Sequence, residues 1–188
     1  MDAGPDFYAP QVVVGTVDEP RTLMWGWSWE KSRNDADILA SGWAGVLTYA
    51  RVLSFSDGQL RSEPVAEVDS LRNGVISADT GSFTVPRSTR AFDVTADSAV
   101  ELVLVDGEQE RVVAAIAAGR ILVDGSLVEV FADGDTPTQC GCIPRRPHTS
   151  NSGVQLPSTG WPSSRTAHQL HGTPTARTPF GVRAVGVP

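Results

Sequence analysis

The residues with the most distinctive spacing are three tryptophans that recur at every second position, Trp25, Trp27 and Trp29. Alternate side chains of a β-strand point to the same face, so these indoles share one face with Leu23 on a strand predicted over residues 22–30. Two interpretations stay open. The face packs into a core, or an indole lines a carbohydrate pocket, where its flat ring stacks on the C–H surface of a sugar.

Other residue types that carry chemistry form no recognisable catalytic set. Many of the acids fall in turn sequences, where their side chains favour the turn itself, as at Asp57, Asp79, Asp106 and Asp133. No glycine-rich phosphate loop and no nucleophile elbow occurs. Cys140 and Cys142 are too close for a zinc knuckle, and two cysteines are too few for a disulfide framework. We therefore predict no metal site and no cofactor.

Charge is divided unevenly along the chain. All 22 Asp and Glu lie at or before Asp135, together with ten of the 15 Lys and Arg, so this part carries about −12 (10 − 22). The remaining five Arg follow it with no acid at all. Because phosphate binding needs a basic face, an acidic body argues against a nucleic-acid partner. No apolar run is long enough for a membrane span, and the acidic start is not a signal peptide, so we expect a cytoplasmic chain as it stands.

The predicted elements are almost all strands. The strongest prediction is a hairpin in which Asp124-Gly125-Ser126 joins two β-rich runs. In the second run Leu127, Glu129 and Phe131 share one face and two valines the other, which predicts a sheet with one buried face. Residues 31–40 are expected to be a polar connection and residues 66–72 a helical turn. Further strands are predicted over residues 11–17, 46–55, 59–65, 81–86, 91–95, 99–105 and 110–116. This pattern predicts an all-β protein with a sandwich.

Residues 136–188 differ from the rest in composition. They are rich in Pro, Thr, Ser, Gly and Arg, with few large apolar residues and no periodicity. Such a stretch cannot offset the entropy lost on ordering, so we predict a disordered tail.

Several motifs occur in the order found in one known family. They are Gly4-Pro-Asp-Phe-Tyr-Ala-Pro-Gln11, Leu23-Met-Trp-Gly-Trp-Ser-Trp-Glu30, Gly42-Trp-Ala-Gly-Val-Leu-Thr48 with Arg51 and Leu53, Asp57-Gly-Gln-Leu60 with Leu71-Arg72, and Val123-Asp-Gly-Ser-Leu-Val-Glu-Val-Phe131. Over residues 4–135 the chain resembles the C-terminal part of glycoside hydrolase family 32, the β-fructofuranosidases: invertases, sucrose-6-phosphate hydrolases, levanases and inulinases.

The resemblance implies a fold and a division into domains. Residues 1–50 would be the last part of the five-bladed catalytic β-propeller, residues 51–72 a linker, and residues 73–135 most of the C-terminal β-sandwich. Relatives end the sandwich with Arg-x-Tyr-Pro, whereas this chain has Cys140-Gly-Cys-Ile-Pro144. The latter can be encoded by TGC GGG TGT ATC CCA, and read two bases later such DNA gives Arg-Val-Tyr-Pro. The tail is thus hypothesised to be frameshifted, which the nucleotide sequence of the gene tests.

The resemblance also places the chemistry outside this chain. The family is retaining and uses a carboxylate nucleophile and a carboxylic acid/base, and none of its three catalytic motifs occurs here. We expect a fragment without catalytic residues, inactive alone. Tyr8 and Trp27 match positions near the sugar in the family, and Asp6 is a weaker candidate.

Three functional hypotheses remain. The first is a fragment of a fructosidase whose full-length form binds a fructose-containing carbohydrate and could be secreted. The second is a non-catalytic carbohydrate-binding β-sandwich module. The third is a subunit that pairs with a separately encoded N-terminal half of the propeller. The propeller-like motifs at residues 4–48 favour the first over the second.

Overall fold

The structure, a computed structural model, describes residues 2–73, 82–86, 89–106, 108–133, 138–140 and 180–186. Within them the regular secondary structure is mostly β-strand, as predicted. The strands are β1 (Phe7–Val13), β2 (Thr22–Ser28), β3 (Val46–Leu47), β4 (Arg51–Ser56), β5 (Gln59–Pro64), β6 (Ser82–Pro86), β7 (Ala91–Ala96), β8 (Val100–Asp106), β9 (Gln109–Ile116), β10 (Gly119–Asp124), β11 (Leu127–Ala132), β12 (Thr138–Cys140) and β13 (Phe180–Gly186).

The first sheet is built from the N-terminal strands in the order β1-β2-β4-β5, with β3 also paired to β2. All of its pairings are antiparallel. The β4–β5 hairpin turns at Asp57 and Gly58, which both have positive φ (53° and 76°), the geometry of a tight hairpin turn. This sheet continues to Pro64, because the hairpin extends the same ladder.

A short helix, α1 (Asp35–Ser41), lies where the sequence predicted only a polar connection. Asn34 caps its start by accepting a hydrogen bond from the Asp37 backbone N–H at 2.9 Å. Gly42 ends it in the left-handed conformation, with φ of 80°. These two caps stabilise the helix. The sequence did not predict it, because a short polar segment shows no helical periodicity. The predicted helical turn near residue 66 is confirmed as a 3₁₀ helix over Ala66–Leu71.

Two four-stranded sheets form a β-sandwich. The middle sheet has the order β12-β11-β10-β7, and the outer sheet the order β6-β13-β8-β9. The predicted hairpin is confirmed, with Asp124 opposite Leu127 and a two-residue turn at Gly125 and Ser126. The core between these sheets contains mainly aliphatic side chains, namely Val85, Phe92, Val94, Val100, Leu102, Leu104, Ala114, Ile116, Ile121, Val123 and Val128.

The other face of the middle sheet is also buried. Leu122 and Phe131 form a second apolar cluster with Val65 and Val68 of residues 65–72, which follow β5 and which we call the connecting segment. Leu23, Tyr49, Ala50 and Val52 of the first sheet and its neighbouring residues pack against this cluster. The expectation of one buried face for the hairpin is therefore wrong, because the first sheet and the connecting segment cover its second face.

The prediction of disorder is wrong at two places within residues 136–188. β12 pairs with β11, and β13 lies between β6 and β8. Hydrogen bonding on both sides of β13 satisfies its backbone groups and offsets the entropy cost that composition alone left uncompensated. The other residues of the predicted tail lie outside the described residues. The frameshift hypothesis concerns that tail and stays a prediction.

Candidate functional site

An exposed group of aromatic rings lies on the β1–β2 hairpin, and we call Tyr8, Trp27 and Trp29 the aromatic surface. Tyr8 is paired across the hairpin with Trp27, and their ring centroids are 6.4 Å apart at 65°. Tyr8 stacks on Trp29 at 6.2 Å and 22°. The Tyr8 residue is 62% exposed and Trp29 is 46% exposed. Flat rings in this arrangement offer an apolar surface with polar edges to a solute.

The tryptophans do not form the main core contact of β2. Its buried positions are the alternate ones, including Met24 and Ser28, whereas Trp25 and Trp27 are only half-buried. The interpretation of the tryptophan face as core is thus wrong for Trp29. Trp27 is positioned by Gly45, where an added Cβ would lie 2.2 Å from the indole Nε1. Only a glycine leaves room for the indole at that position.

Asp6, the third residue predicted near a sugar, is 3% exposed. Its backbone carbonyl accepts a hydrogen bond from the Trp29 N–H at 3.3 Å. The structure therefore brings Tyr8 and Trp27 into contact on the surface and buries the Asp6 residue beneath their hairpin.

Glu30 follows the aromatic surface along the chain and is 1% exposed. One carboxylate oxygen, Oε2, accepts hydrogen bonds from Arg33 Nη1 at 2.6 Å and from the Trp43 indole at 3.2 Å. The other, Oε1, accepts a hydrogen bond from the Ser126 hydroxyl in the turn of the β10–β11 hairpin. The carboxylate therefore joins the first sheet, the α1 segment and the sandwich.

A second buried carboxylate, Glu129, pairs with Arg51, and both side chains are fully buried. Arg51 Nε donates to Glu129 Oε1 at 3.1 Å, and the Tyr49 backbone N–H donates to Oε2 at 2.7 Å. Arg51 Nη1 also donates to Asp2 at 2.7 Å. Burial raises the pKa of the Glu129 carboxyl, and the positive charge and hydrogen bonds of Arg51 oppose that rise.

The Arg51 guanidinium also contacts two aromatic rings. It lies 5.0 Å from the ring centroid of Phe7 in the first sheet and 5.1 Å from that of Phe131 in the sandwich. Cation–π contacts of this kind strengthen when the cation is desolvated. Arg51 is thus the central ionic contact between the first sheet and the sandwich.

A third ionic group joins the connecting segment to the middle sheet. Asp93 accepts hydrogen bonds from Arg72 Nε at 3.1 Å and from Arg120 Nε at 2.9 Å. Burial acts to raise the pKa of Asp93, but the hydrogen bond from Arg72 and the charge of Arg120 outweigh it and hold the pKa below its ordinary value. Arg120 also lies 2.7 Å from Asp69 of the 3₁₀ helix.

These groups have structural partners rather than the geometry of a metal centre. Within the described residues no cluster of three or more His, Cys, Asp or Glu could hold a metal ion. In the same part of the chain, no helix is both long and apolar enough to cross a membrane.

Sequence reasoning missed four residues that join the first sheet and its following segment to the sandwich, namely Glu30, Arg51, Ser126 and Glu129. One signal was present for Glu129, since all other residues of its strand, β11, are apolar. A charged residue in such a strand fits two arrangements equally: a side chain that faces solvent, or a buried side chain with a charged partner. No local pattern identified the partner, because Arg51 is 78 residues away.

Comparison with known proteins finds a family match over the N-terminal part of the chain and matches to individual relatives. Residues 1–64 match the family model described as "Glycosyl hydrolases family 32 N-terminal domain". The chain is 43% identical over 74 residues to a sucrose-6-phosphate hydrolase of Escherichia coli, which covers 38% of the chain and 14% of that protein. It is 31% identical over 140 residues to a probable sucrose-6-phosphate hydrolase of Vibrio cholerae, covering 72% of the chain and 25% of that protein.

A solved structure extends the similarity to the whole fold. The crystal structure of fructan 1-exohydrolase IIa from Cichorium intybus aligns with 98% of the chain and 45% of its own length, with a TM-score of 0.54 and 14% identity. At this identity the likeness concerns the fold. The chain spans a quarter or less of the length of the two curated relatives above.

Proposed function

Because the chain belongs to glycoside hydrolase family 32, we propose that it forms part of a hydrolase acting on β-fructofuranosides, namely sucrose, sucrose 6-phosphate or fructans. In this proposal the first sheet is the last part of a five-bladed β-propeller, and the β-sandwich is the C-terminal domain that follows it. The observation that carries the proposal is positional. The family match ends at residue 64, where β5 and the first sheet also end.

The aromatic surface is the part of the chain that we assign to the sugar. A furanose ring presents C–H groups on its faces and hydroxyls at its edges. Tyr8 offers an exposed ring and a phenol O–H to such a ligand, and Trp27 supports Tyr8 from the side. Asp6 contributes through its backbone, which holds Trp29 in register with the start of β1.

The nucleophile and the acid/base are assigned to another part of the enzyme. A retaining glycosidase needs two carboxyl groups about 5–5.5 Å apart that both reach the scissile bond. Glu30 and Glu129 are buried, and each is bound to an arginine. Neither side chain opens to a surface that a sugar could reach. These carboxylates therefore serve the structure, and this chain contributes binding surface and scaffold.

The remainder of the propeller is the partner that this proposal requires. It would come from a longer form of the polypeptide or from a separately encoded chain that contains the three catalytic motifs. The DNA sequence upstream of the gene identifies which of these applies.

Titration calorimetry of the purified chain with sucrose and with inulin tests the proposal, alongside an assay for released fructose. We expect binding without hydrolysis. Tyr8→Ala is expected to weaken binding by about 2- to 10-fold, the equivalent of about 0.5–1.5 kcal/mol for an aromatic contact. Phe55→Ala is the matched control, because Phe55 is 73% exposed on β4 of the same sheet but outside the aromatic surface.

Two results would contradict this account. Release of fructose by the purified chain would disprove the assignment of the catalytic carboxylates to another part of the enzyme. Equal binding by Tyr8→Ala, Phe55→Ala and the unsubstituted chain would disprove the role of the aromatic surface.

A further inference from the structure

The backbone next to the aromatic surface has a conformation that requires support. Glu30, directly after Trp29, has a φ of 48°, in the left-handed region that residues with a Cβ rarely adopt. Such a conformation persists only where surrounding contacts enforce it. For Glu30 these contacts are Arg33 and Trp43 on one carboxylate oxygen and Ser126 on the other.

Ser126 is the contact that comes from another domain. It lies 96 residues after Glu30 in the sequence and is 4% exposed in the turn of the β10–β11 hairpin. Arg33 and Trp43 come from the segment that follows Glu30, so they can move together with it. Ser126 is attached to the sandwich and gives Glu30 a fixed reference outside its own segment.

The same hairpin also holds the other side of the aromatic surface. Glu129 on β11 pairs with Arg51, and Arg51 stacks on Phe7, the residue before Tyr8. The Phe7 ring is confined on another side by Gly26, where an added Cβ would lie 2.2 Å from the ring. One hairpin thus contacts Glu30, next to Trp29, directly, and reaches Phe7, next to Tyr8, through Arg51.

We propose that the β10–β11 hairpin of the sandwich positions the aromatic surface, and that Ser126 is a positioning residue for Trp29 through the Glu30 carboxylate. Loss of the Ser126 hydroxyl leaves Glu30 Oε1 without this donor and releases the left-handed backbone at Glu30. The Trp29 ring then leaves its stack with Tyr8. The effect on sugar binding rests on the function proposed above, whereas the effect on Trp29 does not.

The test uses the full chain labelled with 5-fluorotryptophan and observed by ¹⁹F NMR, with resonances assigned by single Trp→Phe variants. Ser126→Ala is expected to move the Trp29 resonance and leave in place that of Trp25, which lies four residues earlier on β2. Ser126→Thr, which keeps a hydroxyl, is expected to restore the Trp29 resonance. A merely destabilising substitution would not shift one indole selectively in the folded protein.

Binding of inulin by the same variants gives the second readout. Ser126→Ala is expected to bind about 3- to 10-fold more weakly, as for the loss of one hydrogen bond, and Ser126→Thr to bind like the unsubstituted chain. If Ser126→Ala does not fold, Ser126→Gly replaces it, because glycine also lacks the hydroxyl and suits a tight turn.

The outcomes separate the two proposals. An unshifted Trp29 resonance in folded Ser126→Ala or Ser126→Gly would overturn the positioning role. Failure of the unsubstituted chain to bind inulin or sucrose would count against the proposed function, and the NMR result would still decide the role of Ser126.

Discussion

Replacing Arg51 with methionine is expected to be among the most destabilising single changes at the contact between the first sheet and the sandwich. The substitution keeps most of the apolar volume of the side chain but removes the guanidinium. Glu129 and Asp2, whose side chains are fully buried beside it, then lose their positive partner. Removing one member of a buried ion pair costs about 3–5 kcal/mol, because the remaining charge stays desolvated.

Urea denaturation followed by tryptophan fluorescence measures this cost. With a urea m value of about 2–3 kcal/mol/M for a protein of this size, the midpoint is expected to fall by about 1–2.5 M. Arg21→Met is the matched control, since Arg21 pairs with Glu19 and Glu67 on the surface. Its midpoint is expected to stay unchanged, as for most exposed pairs.

The pH dependence of the Arg51→Met deficit has a definite sign. Burial raises the pKa of Glu129 above its ordinary value of 4.5, and Arg51 opposes the rise. A carboxyl whose pKa is raised in the folded state contributes its full stability below the unfolded pKa and loses it as pH rises through the folded value. Without Arg51 the pKa rises further, so the deficit is expected to be larger at pH 8 than at pH 5.

Two observations would refute this reasoning. One is a midpoint for Arg51→Met within 0.3 M, or roughly 1 kcal/mol, of the control, which would mean that the pair contributes no more than an exposed one. The other is a deficit that stays constant from pH 5 to pH 8, which would mean that Glu129 keeps the same charge with and without its partner.

Two further predictions concern the site and the connecting segment. Gly45→Ala is expected to displace the Trp27 indole and to destabilise the protein by about 1–3 kcal/mol more than Gly42→Ala in thermal unfolding, as overpacking does. Both glycines have positive φ, but an added Cβ meets the indole only at Gly45 and nothing within 4 Å at Gly42, so equal losses would contradict the packing argument. Asp93 has a lowered pKa in the folded state, so its contribution is present above the ordinary value of 3.8 and is lost as pH falls through the folded pKa. Asp93→Asn should therefore reduce the loss of urea resistance between pH 5 and pH 3, and an unchanged acid profile would argue against this role.

The local elements of this fold could be predicted from the sequence because their causes are local. Alternation of apolar and polar residues specifies a strand, and the Asp124-Gly125-Ser126 sequence, whose turn is at Gly125 and Ser126, specifies the hairpin on either side of it. The aromatic spacing correctly placed Trp27, on β2, and Trp29, one residue beyond its end, on the face that contacts Tyr8. The same spacing could not tell whether that face is buried, since alternation distinguishes two faces without saying which one another layer covers.

The sequence by itself determined most of the strands before residue 133, the β10–β11 hairpin and the family motifs. Only the tertiary structure decided which charges are buried and what neutralises them. Arg51 meets Glu129 across 78 positions, and Ser126 meets Glu30 across 96. The strand β13, in a stretch whose composition predicted disorder, lies between two strands from much earlier in the chain. Periodicity and turn chemistry act over a few residues, whereas burial and ion pairing depend on which distant segments the packed sheets bring together.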